Sequence, residues 1–303
     1  MAPHQTHLGI VVGVDGSPSS TLAVEWAARD ADMRNVPIKL VHIVPPIVAA
    51  AEGWSDIPAP SDCMRWQEDN ARKLIAEAHK LAVEASSPTR VSQVTSEVLY
   101  GSIVPTLVDL SKRADMVVMG CRGQGAVARA LLGSVSSGLI HHAQSPVAVI
   151  HDESAPMQRP PQAPVVVGID GSPTSELATA IAFDEASRRG VTLVALHAWS
   201  DMGPMEFPST NQAPVEWANI KVREEEVLAE RLSGWRCRYP DVSVNEIVVC
   251  DRPAPRLLEQ AQSAQLLVVG SRGRGGFSGM LLGSVSRAVV NAAQIPVIVA
   301  RMP

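Results

Sequence analysis

Short apolar runs alternate with longer amphipathic stretches along the whole chain. The run "IVVGVD" (10–15) is rich in β-branched residues, which is typical of a parallel strand buried on both faces. Ser17 and Pro18 then supply a cap and a first helical position, and they predict a helix that continues to about Met33. Apolar runs at 36–44, 91–100, 116–120 and 146–150 predict four more strands, with helices at 65–86, 105–113 and 135–143.

The same alternation occurs twice. "GIVVGVDGSP" (9–18) returns as "PVVVGIDGSP" (164–173), an offset of 155, and from the third strand onward the offset is 150. A proline-rich polar stretch lies between the copies. We therefore predict domain 1 at 1–152, a linker at 153–163 and domain 2 at 164–303. Because strands separated by helices require right-handed crossovers, each domain is predicted to be a doubly wound, Rossmann-like α/β fold with a parallel sheet and helices on both faces.

The segment after the fourth strand, "GCRGQGAVARALLGSVSSG" (120–138), is also repeated, as "GSRGRGGFSGMLLGSVSRA" (270–288). Gly120 and Gly123 lack a Cβ, so their amides can approach a ligand closely and positive φ is allowed there. Arg122 adds a cation. Residues 133–136 open the fourth helix, whose free amides favour an anion, and Ser134 and Ser136 add hydroxyl donors. The pattern predicts a bound phosphate chain. It contains neither GxxxxGK[ST] nor GxGxxG.

Composition excludes several classes of function. The 303 residues carry a formal charge of -5, which argues against a nucleic-acid partner. No apolar run approaches the roughly 18–20 residues needed to span a membrane, and the start shows no secretory signal, so we expect a cytoplasmic protein without a membrane partner. The four cysteines show no CxxC or histidine pattern, which favours reduced, mostly packed thiols at Cys63, Cys121, Cys237 and Cys250.

With these motifs the chain resembles the universal stress protein family in its tandem, two-domain form. The nucleotide-binding members of that family carry G-x2-G-x9-G-[ST], which matches Gly120, Gly123, Gly133 and Ser134, and again Gly270, Gly273, Gly283 and Ser284. The resemblance covers nearly the whole chain. It implies a five-stranded parallel sheet of order 3-2-1-4-5 in each half, with ATP bound where the winding reverses.

The resemblance also implies roles for individual residues. Asp15 and Asp170 would lie near the sugar or near Mg²⁺, held through water, and Ile43 and Ala198 would contact the adenine. Phosphates would be contacted by Arg122, Arg272, Ser134, Ser136, Ser284 and Ser286. The predicted ATP-binding set in domain 1 is Gly13, Val14, Asp15, Ile43, Gly120, Arg122, Gly123, Gly125, Gly133, Ser134, Val135 and Ser136. In domain 2 it is Gly168, Ile169, Asp170, Ala198, Gly270, Arg272, Gly273, Gly275, Gly283, Ser284, Val285 and Ser286.

Other interpretations remain open for single features. The glycine loop could be a structural turn, Asp15 could simply cap the helix that follows it, and Arg122 could be a solvated charge. His42 and His197 are expected to pack or to hydrogen bond at a strand end, without a catalytic role. The segments "GSIVP" (101–105) and "DRPAP" (251–255) differ, so the wall near the third strand is expected to differ between the sites.

For the whole protein, the sequence favours an ATP-binding regulatory protein of the stress response, in which bound nucleotide biases conformation or the binding of a regulatory protein partner. No lysine or evident base accompanies the loop, so fast turnover is not expected. A slow ATPase or nucleotidyl-transferring enzyme is the alternative, and a pairing module with empty sites is a third. The last strand of each copy is expected at a sheet edge, where the resemblance implies pairing within the tandem chain and in a homodimer.

Overall fold

The computed structural model describes residues 7–46, 61–90, 93–123, 132–151, 160–199, 213–274 and 282–302, with backbone alone at 61–63 and 213–218. The chain divides into two compact units, Met1–Asp152 and Glu153–Met302. Both units have the same succession of strands and helices, and each is described by itself below.

Unit 1 consists of β1 (Ile10–Gly13), α1 (Pro18–Arg34), β2 (Ile38–Val44), α2 (Ser61–Ala85), β3 (Val94–Tyr100), α3 (Ile103–Ser111), β4 (Met116–Gly120), α4 (Ser134–His142) and β5 (Val147–Ile150). Its strands are all parallel, in the order β3-β2-β1-β4-β5. The predicted fold and strand order are therefore confirmed for this unit.

Unit 2 consists of β6 (Val165–Gly168), α5 (Pro173–Arg189), β7 (Leu193–Ala198), α6 (Ala213–Arg238), β8 (Val244–Val249), α7 (Pro253–Ala261), β9 (Leu266–Gly270), α8 (Ser284–Ala292) and β10 (Val297–Ala300). These strands are also parallel, in the order β8-β7-β6-β9-β10. The second copy of the sequence thus repeats the fold of the first.

The first helix of each unit shows why these sequences become helical where they do. Ser17 precedes α1, and its hydroxyl oxygen accepts a hydrogen bond from the amide of Ser20 at 3.2 Å. Pro18 follows at the first helical position, where a missing N–H costs nothing. The helix ends at Asn35, which has φ 57°. Ser172, Pro173 and Gly190 do the same for α5.

Predicted and observed element ends differ by a few residues. Helix α3 begins at Ile103, two residues before the predicted start at Pro105. The proline therefore lies in the first helical turn, where its missing N–H has no intrahelical acceptor to lose. Helix α2 begins at Ser61, before the predicted 65, and β3 begins at Val94, after the predicted 91.

The core of each unit is its sheet, covered by helices on both faces. Ile10, Val11 and Val12 of β1 are 0% exposed, as expected for a central parallel strand. Helix α1 packs beside α2, and α3 packs beside α4. Among the helices that the structure describes, none combines the length and the apolar character needed to cross a bilayer.

The cysteines differ in burial. Cys121 is buried, Cys250 is half-buried and Cys237 is exposed on α6. The prediction of mostly packed thiols is therefore wrong for Cys237, because this position lies on the solvent face of a long helix. All three are free thiols, and the side chain of Cys63 lies outside the described residues.

Candidate functional site

Each unit has a cavity at the point where the order of its parallel strands reverses. Strands β1 and β4 are parallel neighbours, and the chain leaves them toward opposite sides of the sheet, through β2 and β5. Their carboxyl ends therefore form one crevice, the usual ligand site of such folds. The cavity of unit 1, called site 1, has a volume of about 780 Å³, and that of unit 2, called site 2, about 450 Å³. Both are of a size that small-molecule ligands occupy.

The structure brings the predicted residues together. Every residue of the two predicted ATP-binding sets that the structure describes lines site 1 or site 2. Gly125 and Gly275 lie outside the described residues, as does the rest of each glycine loop. Location is thus established for these residues, and their contacts with ATP stay a prediction.

The start of α4 presents amides that the helix itself does not use. The first amide bonded within the helix is that of Ser137, which donates to the carbonyl of Gly133 at 2.9 Å. The amides of Ser134, Val135 and Ser136 therefore have no intrahelical acceptor. Gly133 is the N-cap residue and has no side chain to satisfy them. Because the positive end of the helix dipole lies here, this wall of site 1 attracts anions.

Helix α8 repeats this arrangement in site 2. The amide of Arg287 donates to the carbonyl of Gly283 at 3.0 Å, so the three amides before it, those of residues 284–286, are left without a helical acceptor. Gly283 is again an N-cap without a side-chain hydrogen bond. The amides of Gly133 and Gly283 are not part of this group, because they donate to the carbonyls of Cys121 and Ser271, each at 2.8 Å.

The serine hydroxyls at the helix starts differ in exposure. The hydroxyl of Ser136 is buried and donates to the carbonyl of Gly120 at 2.8 Å, and that of Ser286 donates to the carbonyl of Gly270. These two hydroxyls anchor the helix start to the strand end. Their contact with a phosphate stays a prediction. Ser134 and Ser284 are exposed.

The glycines of the loop are required by protein packing as well as by any ligand. A Cβ on Gly120 would lie 2.7 Å from the backbone carbon of Ser19, and one on Gly123 would lie 2.7 Å from Oδ2 of Asp15. A Cβ on Gly270 would lie 2.9 Å from the amide nitrogen of Ser175. None of these three glycines has positive φ, so the conformational freedom of glycine is not used there. The strand end and the start of the first helix simply approach too closely for a side chain.

The aspartate after β1 faces the glycine loop across site 1. Its Oδ1 accepts from the amide of Ser17 at 2.9 Å and from the Ser17 hydroxyl at 2.6 Å, so part of Asp15 closes the turn before α1. Its Oδ2 points toward Gly123. In site 2, Oδ2 of Asp170 accepts from the amide of Arg274 at 3.1 Å. The cap of α1 is Ser17 and not Asp15, whose Oδ1 closes the turn before the helix. Contact of Asp15 with a ligand stays a prediction.

The loop after β4 is tied to the first helix through a backbone carbonyl. The carbonyl of Arg122 accepts a hydrogen bond from the Ser19 hydroxyl at 2.5 Å, and the Ser17 hydroxyl, whose proton goes to Asp15, lies 3.1 Å from the same carbonyl. In unit 2 the carbonyl of Arg272 accepts from Ser172 and Thr174, at 3.2 and 2.6 Å. These bonds hold the arginine backbone in place while each arginine lines its cavity.

The histidines at the end of the second strand bond to backbone, as expected. Nδ1 of His42 lies 2.7 Å from the carbonyl oxygen of Val14, and Nδ1 of His197 lies 2.7 Å from that of Ile169. This bond ties the second strand to the residue before the aspartate. The two sites differ beyond this bond, because Nε2 of His197 also lies 3.0 Å from Oε2 of Glu224.

Residues of the second helix were missed by sequence analysis. Trp66, Gln67, Asn70 and Leu74 of α2 line site 1, and Glu224 of α6 lines site 2. Three of the four on α2 recur every four residues, which is the spacing of one helix face. That periodicity was available in the sequence, but nothing in it indicates which face of the helix meets the cavity.

The segment after the third strand differs between the units, as its sequence suggests. In unit 2, Oδ1 of Asp251 accepts from the amide of Arg252 and Oδ2 from Nε of Arg256, both at 2.7 Å. The backbone amide, and then the guanidinium, hold the pKa of the Asp251 carboxyl below its usual range. Unit 1 has Gly101 at the equivalent position and therefore lacks this ion pair.

A metal would have few protein ligands at either site. Within the described ranges there is no group of three or more His, Cys, Asp or Glu side chains that could hold one. Mg²⁺ can be bound through one carboxylate together with phosphate and water oxygens. The residues present fit a magnesium ion that arrives with a nucleotide, with Asp15 or Asp170 as the carboxylate.

Comparison with known proteins identifies the family. The family model described as "Universal stress protein family" matches residues 9–151 and 163–301. A universal stress protein of Mycobacterium bovis is 63% identical over 316 residues, covering 100% of this chain and 98% of that protein. One of Mycobacterium tuberculosis is 52% identical over 301 residues, covering 99% of each. The crystal structure of a universal stress protein from Archaeoglobus fulgidus superposes with a TM-score of 0.67 at 22% identity, covering 97% of this chain and 98% of that one, which supports the fold. Two family matches, one in each half, and relatives of this similarity make the chain a member of the universal stress protein family.

Proposed function

We propose that site 1 and site 2 each bind ATP and that the bound nucleotide regulates this protein in a stress response. The observation that carries the proposal is the group of three amides without a helical acceptor at the start of α4, and again at α8, on the wall of a cavity of nucleotide size. A triphosphate satisfies such donors and benefits from the helix dipole.

The remaining lining residues suit the other parts of ATP. Ile43 is buried in the wall of site 1 beyond His42, an apolar surface against which a base can lie. Oδ2 of Asp15, which faces Gly123, could accept from a ribose hydroxyl or hold magnesium through water. Arg122 adds the cation that a phosphate chain requires. Ala198, Asp170 and Arg272 occupy the same positions in site 2.

The residues that line site 1 and site 2 favour a regulatory role over fast catalysis. Rapid phosphoryl transfer uses cations on the transferred group and a residue that positions or deprotonates the nucleophile. No lysine occurs among the described residues that line either site, and the Nδ1 atoms of both histidines are bonded to backbone carbonyls. Bound ATP would then act by favouring one conformation of the protein or of its complex with a partner. A homodimer and a protein partner remain predictions.

Two measurements test the proposal. Nucleotide released from freshly purified, denatured protein is identified and quantified by mass spectrometry, and calorimetry with MgATP measures occupancy of the emptied protein. We expect up to two ATP molecules per chain. Failure of adenine nucleotides to bind either site in the presence of Mg²⁺ would overturn the proposal.

A slow ATPase is the competing function, since Asp15 has an oxygen free to hold magnesium. Multiple-turnover phosphate release from purified protein separates the two functions. The enzyme would be favoured if phosphate release persists through purification and is lost in the double variant Ser134→Glu, Ser284→Glu, which alters both helix starts. Binding without turnover favours the regulator.

A further inference from the structure

Site 1 and site 2 differ at the wall formed by the second long helix. Buried positions on α2 and α6 match at an offset of 150, with Ala78 and Ala82 corresponding to Leu228 and Leu232. At the same offset, Leu74 of site 1 corresponds to Glu224 of site 2. The wall beside the strand-end histidine is therefore apolar in site 1 and acidic in site 2.

Hydrogen bonding at His197 requires an extra proton. The carbonyl of Ile169 can only accept, so Nδ1 of His197, 2.7 Å away, carries a proton. A neutral ring protonated at Nδ1 has a bare acceptor at Nε2, and a carboxylate is also only an acceptor. Yet Nε2 lies 3.0 Å from Oε2 of Glu224. The contact therefore holds one proton more than a neutral histidine and a carboxylate together possess.

His42 in site 1 has the first of these bonds without the second. Its Nδ1 donates to the carbonyl of Val14 at 2.7 Å, and the leucine at position 74 offers no acceptor to Nε2. The His197 side chain is 4% exposed and that of Glu224 is 27% exposed, so the contact is shielded from solvent on the histidine side only. Among the described residues, site 1 has no counterpart of this contact.

We propose that Glu224 makes site 2 a proton-linked nucleotide site, whereas site 1 binds its nucleotide without this linkage. The inference rests on the proposed function. Glu224 is a positioning residue that acts through His197. As pH rises and the proton leaves, two acceptors face each other, the bond is lost, and the cavity loses one positive charge. A polyanion then binds less tightly, so nucleotide affinity at site 2 falls with rising pH.

Other charged groups lie around the second strand of unit 2. These are Asp170 after β6, Arg272 and Arg274 after β9, the Asp251–Arg256 pair between β8 and α7, and the Glu176–Arg231 pair between α5 and α6. In the part of the chain described, Glu224 is the one side chain hydrogen-bonded to His197. A substitution at 224 therefore removes the shared proton and leaves the other charges in place.

The experiment exchanges the two residues between the sites. MgATP binding is measured by calorimetry from about pH 5.5 to 8.5, the range in which histidine titrates. Site 2 is measured in a Ser134→Glu background and site 1 in a Ser284→Glu background, each of which opposes binding at the other site. We expect the affinity of site 2 to fall on the order of tenfold, the effect of one charge roughly 10 Å from the phosphates. Glu224→Leu and Glu224→Gln should remove this fall, and Leu74→Glu should confer it on site 1.

A second readout needs no nucleotide. The ¹⁵N spectrum of the imidazoles in the ligand-free full chain should show His197 protonated on both nitrogens, or bonded to a carboxylic acid, at a pH where His42 is protonated on Nδ1 alone. Glu224→Leu should make the two histidines alike. Equal pH profiles at both sites, or a fall that survives Glu224→Leu, would overturn the inference. Absence of ATP binding at both sites at every pH would instead overturn the proposed function, and the imidazole spectrum would still decide whether the proton is shared.

Discussion

A carboxylate at the start of α4 separates a ligand role of this helix end from a structural one. Ser134 is exposed, and its amide is one of the three without an acceptor in the helix. Ser134→Glu puts a negative charge beside these donors. Because anionic side chains at a helix start interact favourably with its dipole, the helix should gain about 0.3–1 kcal/mol. A bound phosphate chain in the same place should be repelled.

The repulsion can be estimated from the geometry of a helix end. A glutamate carboxylate and a phosphate that share the first helical turn lie roughly 6 Å apart, which costs about 3 kcal/mol at an effective dielectric constant of about 20. ATP binding at site 1 should then weaken roughly 100-fold. Stability and binding therefore move in opposite directions, which a general loss of structure cannot produce.

Calorimetry and thermal unfolding together check this prediction. In Ser134→Glu, ATP binding at site 1 should become too weak to measure while site 2 still binds ATP, so the stoichiometry falls from two to one. The melting temperature without nucleotide should not decrease. Ser134→Gln is the control, since it has the size of glutamate without the charge. Unchanged ATP affinity at both sites in Ser134→Glu would refute the assignment of the phosphates to this helix start. Equal losses in the Glu and Gln variants would point to a steric effect.

Three further predictions concern the scaffold. Gly120→Ala should lower the free energy of unfolding, measured in urea, by roughly 1–3 kcal/mol, because the new Cβ overlaps the backbone of α1. Gly234→Ala is the control: its Cβ meets no atom within 4 Å, so this change should instead stabilise α6 by about 0.5–1 kcal/mol. Glu185→Ala should lower the free energy of unfolding by roughly 3–5 kcal/mol in the same assay, because it removes the 2.7 Å ion pair between Arg189 and the fully buried Glu185. The double variant Glu185→Ala, Arg189→Ala should lose less stability than the two single variants added together. Asp251→Asn should be less stable than the parent protein near neutral pH, because a carboxyl whose pKa is lowered on folding contributes stability above its unfolded pKa. The difference should shrink as pH falls through the lowered pKa. Stability curves that stay parallel through this acid range would contradict this last prediction.

The elements of the fold could be predicted because their signals are local. A serine followed by proline predicts the start of α1, where the Ser17 hydroxyl does accept from the amide of Ser20. Apolar β-branched runs predict central strands, and Ile10 is fully buried in one. The boundary of α3 was less predictable, since Pro105 is equally acceptable at several positions of a first turn. Such ambiguity shifts an end by two residues and leaves the order of strands unchanged.

The residues of the site were predictable as a set, and their individual contacts were not. The repeated glycine loop and the repeated aspartate after β1 indicate which segments meet at the crevice between β1 and β4, since parallel strands end on one edge of the sheet. Sequence does not indicate that the Ser136 hydroxyl is used by the carbonyl of Gly120, or that Gly120 is small because Ser19 lies against it. These contacts join segments that are far apart in the chain.

The sequence by itself determined that this protein has two doubly wound halves, each with a glycine loop and a helix start at the same edge of its sheet, because hydrophobic period and repeat length are properties of neighbouring residues. The tertiary structure alone decided which amides have no acceptor in the helix, which hydroxyls are already bonded, and that Glu224 meets His197 while Leu74 offers no second bond to His42. Hydrogen bonds between separate elements depend on distances of a few tenths of an ångström, and periodicity along a chain carries no information on that scale.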